Sequence, residues 1–259
     1  DNWPGLGEIY YYRATCYALS SGNIQIVLEN LYSAIAAGDA WYYYSAIAWT
    51  YFNAGEAQRA IDFMGTAITL APDNAGLYLD RAYFFEQADN YAAAIRDYDA
   101  ALEIAPRILQ IYQRRAEAAY TLGDFAAALE DYSHLINLST NDNTPFLQRR
   151  AEIYLAMQDY ASALADLNRV MEINSNPTAL FTRGLTHLYM RNFDAAIADL
   201  QAYTGQHPED PAGWTNLAQA HAGAGNTFSA IDAYQTALVL DGEATYLYGD
   251  LARLYYNAA

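Results

Sequence analysis

Lysine is absent: the 13 basic residues of this 259-residue chain are all arginine. Functions that need an ε-amino group are thereby closed, among them Schiff-base catalysis, a P-loop and a kinase-type phosphate lysine. Cysteine is nearly absent as well. A single thiol, Cys16, precludes an internal disulfide. Its place in the apolar run 10–19 predicts a small buried residue rather than a reactive thiol. No stretch of 18 or more uncharged apolar residues occurs, so no segment reads as a bilayer-spanning helix. Positive charge is scarce beside 30 acidic residues, and the net charge is −17. Such a surface repels phosphate backbones and anionic lipid, so neither nucleic acid nor membrane insertion is expected. The chain opens Asp1-Asn2-Trp3-Pro4 without Met, as expected of a processed or trimmed form, for which a removed signal peptide is one explanation.

What is present is apolar and aromatic: 54% hydrophobic and 15% aromatic residues, with 25 Tyr, against 17% charged. That composition supports a sizeable core and excludes a disordered or collagen-like chain. The sequence also repeats itself. Ala60-Ile61 recurs as Ala94-Ile95 and Ala128-Leu129, each 34 residues on, then as Ala163-Leu164, Ala196-Ile197 and Ala230-Ile231 at steps of 35, 33 and 34. A turn signal precedes each, for example Ala54-Gly55-Glu56, Leu122-Gly123-Asp124 and Ala224-Gly225-Asn226, and Pro72, Pro106 and Pro208 close three of the units. Between these marks apolar residues fall at three- and four-residue spacing, which is helical. Each unit therefore reads as helix A, a short Gly/Asp/Asn turn, helix B and a stop.

These units resemble tetratricopeptide repeats. The resemblance rests on a bulky residue at position 4 (Tyr44, Tyr78, Tyr112), a small one at position 8 (Ala48, Ala82, Ala116), Ala at position 20, an aromatic at position 24 (Tyr98, Tyr132, Tyr234) and Pro at position 32. It implies an all-α, right-handed α-solenoid of about seven helix-turn-helix repeats plus a C-terminal helix, one domain over 1–259. A degenerate repeat covers 7–38, six repeats cover 41–74, 75–108, 109–142, 144–176, 177–210 and 211–244, and the terminal helix covers 245–259. Three repeats depart from Pro at position 32, with Thr140, Ser175 and Gly242, and position 11 holds His187 and His221 in the last two.

Two positions change together. Position 7 is Arg81, Arg115, Arg150 and Arg183 in the four central repeats, and position 23 of the same repeats is Asp97, Asp131, Asp166 and Asp199. In the flanking repeats both are apolar: Ile47 with Phe63, and Leu217 with Ala233. The resemblance places position 7 inside the helix pair, so each Arg–Asp couple is expected to bridge helices A and B bidentately.

Signals for chemistry are missing. No HExxH, CxxC, GxSxG, GxGxxG or Walker sequence accompanies the four histidines, His134, His187, His207 and His221. Neither an enzyme nor a cofactor nor a metal site is expected. The resemblance instead directs attention to a concave groove lined by helix A. Its candidate residues are Tyr42, Trp49, Phe52, Tyr83, Tyr120, Phe181, Leu185 and Tyr189. The chaperone-binding members of the family use Lys and Asn on that face, and this chain has no Lys and no Asn at position 9. Its groove is aromatic and amide-rich with an acidic middle. That suits a protein or peptide partner, apolar or basic, or a glycan stacking on rings. The same aromatics can equally pack between neighbouring A helices.

The two ends are also rich in apolar rings. Tyr10, Tyr11, Tyr246, Leu254, Tyr255 and Tyr256 suggest a homo-oligomer built by end-to-end stacking, whose non-closing contact would make a filament. The first function expected is thus a non-catalytic interaction scaffold, and the second a self-assembling structural subunit. Asn137-Leu138-Ser139 is the only glycosylation sequon. With the lysine-free, acidic, Tyr-rich composition it favours an extracytoplasmic or cell-surface setting.

Overall fold

The computed structural model describes residues 5–20, 22–139, 142–174 and 176–258. Thr140, Ser175 and the opening 1–4 lie outside them. Among the described residues there are 15 helices and no strand. Contacts gather them into two compact units, Asp1–His134 and Leu135–Ala259.

In the first unit helix hairpins follow one another: α1 (Leu6–Ser20) with α2 (Ile24–Ala37), α3 (Trp41–Asn53) with α4 (Ala57–Leu70), and α5 (Ala75–Gln87) with α6 (Tyr91–Ile104). Then come α7 (Leu109–Thr121) and α8 (Phe125–Leu138), whose last residues belong to the second unit. The second unit continues with α9 (Thr144–Ala156), α10 (Tyr160–Ile173), α11 (Pro177–Tyr189), α12 (Phe193–Gln206), α13 (Pro211–Gly223), α14 (Thr227–Leu240) and α15 (Leu247–Ala258).

Local chemistry sets the helix starts. The side chains of Asn23, Asn74, Asn90, Asp159, Asn176 and Asp210 accept backbone N–H groups of the first turns that follow them. Pro177 and Pro211 open α11 and α13, where a missing N–H costs nothing. The turn inside each hairpin needs one left-handed residue. Gly55, Gly123 and Gly225 supply it at φ 79–81°, and Asp89, Gln158 and Arg191 hold the equivalent place at φ 54–62°.

Small residues let the paired helices approach. Ala48, Ala82, Ala116, Ala151 and Ala218 on the A helices, and Ala60, Ala94, Ala128, Ala163, Ala196 and Ala230 on the B helices, are completely buried. Gly184 takes the A-helix position in α11, where a Cβ would stand 2.8 Å from Leu200 Cγ. The rings of Tyr98, Tyr132 and Tyr234 fill the space beside these contacts.

Three sequence expectations fail at the edges of the units. Cys16 is exposed, not buried. Helix α1 is apolar on every side, so its sequence does not mark a buried face; Gly7 and Ala14 go inside while Ile9, Tyr12, Cys16 and Leu19 face out. Tyr11 is not free for an end contact, because its ring packs on Tyr42 and Tyr43 at 5.2 and 5.7 Å. Leu254 is 6% exposed, since α15 buries it with Leu247 and Leu251 in the cluster around α13 and α14. Tyr246, Tyr255 and Tyr256 do remain outside, and Tyr10 is half-buried.

Candidate functional site

The structure brings the Arg and Asp couples together. Arg81 donates from Nε and Nη2 to the two oxygens of Asp97 at 2.8 and 2.6 Å. Arg115 does the same to Asp131 at 2.9 and 2.6 Å, Arg150 to Asp166 at 2.7 Å twice, and Arg183 to Asp199 at 2.8 and 2.6 Å. Each fork joins helix A to helix B of one hairpin. The carboxylate bonds raise each guanidinium pKa further above its usual value. Arg115 and Arg183 also reach back one hairpin: Arg115 Nη1 donates to Asp99 at 2.6 Å and Arg183 Nη1 to Asn168 at 3.0 Å. The ladder is thus internally satisfied structure rather than a row of free cations.

The candidate binding surface lies in the first unit, on the side of α3, α5 and α7. Fully buried Phe84 supports it from behind. Phe52 stacks on Phe84 at 4.5 Å and 17°, and Trp49 meets Phe84 edge-on at 4.9 Å. Tyr83 stacks beside Trp49 at 6.0 Å and 26°. Trp49 and Tyr83, with Leu79, Asp80, Tyr98, Gln110 and Arg114, border a cavity of about 390 Å³. The Trp49 indole N–H donates to Asp80 Oδ2 at 3.1 Å. Burial pushes the Asp80 pKa above the usual carboxylate value, and the indole bond partly offsets this.

Arg114 stands on the opposite wall and is already engaged. It donates to Glu86 Oε2 at 3.1 Å and lies 5.8 Å from the Tyr83 ring centre. The Tyr98 hydroxyl donates to the other Glu86 oxygen at 2.7 Å, and burial followed by that bond raises the Tyr98 pKa. Gln110 and Arg114 also border a second hollow of about 470 Å³, with Glu86, Gln113, Glu117 and Thr121. Glu117 accepts the Tyr132 hydroxyl.

Of the groove residues expected from sequence, Trp49 and Tyr83 line this cavity and Phe52 packs beneath it. Tyr42 turns towards α1, edge-on to Tyr11, and Tyr120 packs on Phe125 at 5.5 Å. Phe181, Leu185 and Tyr189 belong to the second unit: Phe181 contacts Tyr203 at 4.9 Å, Leu185 is half-buried, and the exposed Tyr189 stacks on Tyr160 at 6.1 Å. Sequence reasoning missed Asp80 and Arg114 as parts of the site and Phe84 as the ring behind Trp49. It also missed Asp99 and Asn168 as partners of the ladder.

Among the described residues no cluster of three or more His, Cys, Asp and Glu could hold a metal ion. Burial lowers the pKa of both His187 and His221. Asn137, in the last turn of α8, is exposed.

A family model described as "Tetratricopeptide repeat" matches residues 45–107 and 181–245, and a second of the same description matches 109–142 and 144–177. No curated protein matches the chain. Among solved structures, the C-terminal part of a repeat-containing protein of the same kind from Cytophaga hutchinsonii shares 16% identity, with 93% of this chain and 99% of that one covered and a TM-score of 0.74. A tetratricopeptide repeat protein from Parabacteroides merdae gives 14%, 96% and 98%, and 0.60. YrrB, described as having an unusual peptide-binding site, gives 18%, 70% and 93%, and 0.58. At these identities the likeness shows the fold.

Proposed function

The chain belongs to the tetratricopeptide repeat family, and on that premise we propose that it is a non-catalytic α-solenoid scaffold that binds a protein segment along the face of α3, α5 and α7. The observation that carries this is the cavity bounded by Trp49, Tyr83 and Asp80. It has the composition of a recognition site: large rings held rigid by packing, with a few polar groups aimed inward. Its size falls in the range of about 300–1,000 Å³ usual for ligand sites. The adjoining hollow extends the same face with Gln110 and Gln113, amide groups that can pair with a bound backbone. The peptide-binding site ascribed to YrrB makes a segment of chain the natural class of ligand.

A peptide library displayed on phage and selected against the wild-type protein tests this. Selected peptides are expected to lose about tenfold or more in affinity, roughly 1.4 kcal/mol, on Trp49→Ala, with Tyr83→Ala as the companion variant if Trp49→Ala melts early. Peptides that bind both variants as tightly as wild type would remove the cavity from the account.

A second reading, end-to-end self-association, is supported by the exposure of Tyr246, Tyr248, Tyr255 and Tyr256 (70, 57, 49 and 84%) at α15 and of Ile9, Tyr12 and Leu19 on α1. Light scattering that grows with concentration, and stops growing in Tyr255→Arg/Tyr256→Arg, is the expected sign. A mass independent of concentration would dismiss this second reading.

A further inference from the structure

We propose that the cavity between α3, α5 and α7 is an arginine subsite: it takes the guanidinium of an arginine carried by the bound segment, with the Asp80 carboxylate as counter-ion and the Trp49 and Tyr83 rings as the surfaces it lies against. This rests on the scaffold reading above and specifies the chemistry of its partner.

The argument starts from an imbalance of charge. Four buried aspartates, Asp97, Asp131, Asp166 and Asp199, each hold an arginine in a two-point fork. Asp80 does not. It is half-buried in the cavity wall, yet its hydrogen-bond donor is the neutral indole of Trp49, and no cation of this chain pairs with it among the described residues. A carboxylate taken out of water without a cation is unfavourable, which is the sense of its raised pKa. The cation on the facing wall does not relieve it. Arg114 is bound to Glu86 and set over Tyr83, and the second oxygen of Glu86 is held by Tyr98. The charged groups around the cavity therefore sum to one unanswered negative charge, at Asp80.

The shape and chemistry of the walls select among cations. A guanidinium is planar, weakly hydrated and able both to lie on aromatic faces and to meet a carboxylate. The Trp49 ring borders the cavity next to Asp80, and Tyr83, which already carries Arg114 over its ring, lines it beside Trp49. A lysine ammonium would meet the carboxylate but make less use of the rings. Gln110, exposed at the rim, is placed to pair with the backbone that carries the arginine. The net charge of −17 draws a basic segment towards this chain and hastens encounter.

The test uses the 15N–1H indole signals of the whole protein, with the Trp49 signal assigned by its loss in Trp49→Phe. The probes are Nα-acetyl-arginine amide and its neutral isostere, Nα-acetyl-citrulline amide. The Trp49 indole is expected to shift saturably with the arginine probe, while Trp41 and Trp214 stay in place and the citrulline probe has an effect weaker by about tenfold or more. Asp80→Asn is expected to abolish the shift. Its amide oxygen can still accept the indole N–H, and the lost charge was unpaired, so the variant is expected to melt at or above the wild-type temperature. A merely structural Asp80 would instead lower melting and leave the arginine response intact.

Equal responses to both probes, a response that survives Asp80→Asn, or all indoles moving together would overturn the arginine subsite. In any of these cases, phage-selected peptides that still depend on Trp49 would leave the scaffold reading standing. Failure of both probes together with failure to select any Trp49-dependent peptide would sink the two together.

Discussion

Arg115→Ala is expected to lower the free energy of unfolding by about 3–5 kcal/mol, the range for leaving one half of a buried ion pair behind. The asymmetry of the pair sets which half matters. The Asp131 side chain is 2% exposed and the Arg115 side chain 25%. Removing Arg115 strands a carboxylate with no access to water. Removing Asp131 leaves an arginine that touches solvent and still holds Asp99 at 2.6 Å, so Asp131→Ala is expected to cost less, about 1–3 kcal/mol. The double variant Arg115→Leu/Asp131→Ala installs the combination that Leu217 and Ala233 already form in a later repeat. It is expected to recover much of the Arg115→Ala loss, because an apolar couple carries no desolvation penalty. Urea unfolding of wild type, Arg115→Leu, Asp131→Ala and the double variant gives the cycle. Strict additivity of the two single effects would show that the fork contributes no coupling.

The second large effect is at Phe84. Its ring is completely buried and carries both Phe52 and Trp49. Phe84→Ala is expected to cost about 3–5 kcal/mol, as deletion of a core ring does when the surroundings collapse only in part. It should also loosen the Trp49 wall of the cavity and weaken selected peptides. Tyr83→Ala, at the half-buried rim, is expected to cost clearly less stability while weakening the same peptides. Urea titrations beside binding isotherms separate the two. Equal destabilisation by both changes would mean that the buried support and the rim are not distinct.

What the sequence made legible follows from how often each feature repeats. Ala48, Ala82 and Ala116, or Ala60, Ala94 and Ala128, recur in phase because every hairpin needs the same close helix approach. The joint switch of positions 7 and 23 between charged and apolar pointed to a contact, and the four forks lie where that switch occurs. Features that occur once left no such trace. Position 6 reads Ala46, Asp80, Arg114, Arg149, Thr182 and Asn216, so nothing singled out Asp80 or Arg114 before their side chains were placed around one cavity. The position that reaches Arg115 and Arg183 from the preceding hairpin also varies along the repeats, as Gly65, Asp99, Ser133 and Asn168. In α1 the difficulty was different. A helix with apolar residues on every side has no period from which to read its buried face, so the sequence does not show that Cys16 faces out and Tyr11 packs on α3.

The face formed by α3, α5 and α7 as the place where a partner segment binds is the claim on which the functional account depends. Chemical-shift mapping of the full chain with one phage-selected peptide tests it most directly. The account predicts saturable changes at Trp49, Leu79, Asp80, Tyr83, Gln110 and Arg114. Changes confined to the B helices α4, α6 and α8, or to α1 and α15, would contradict it.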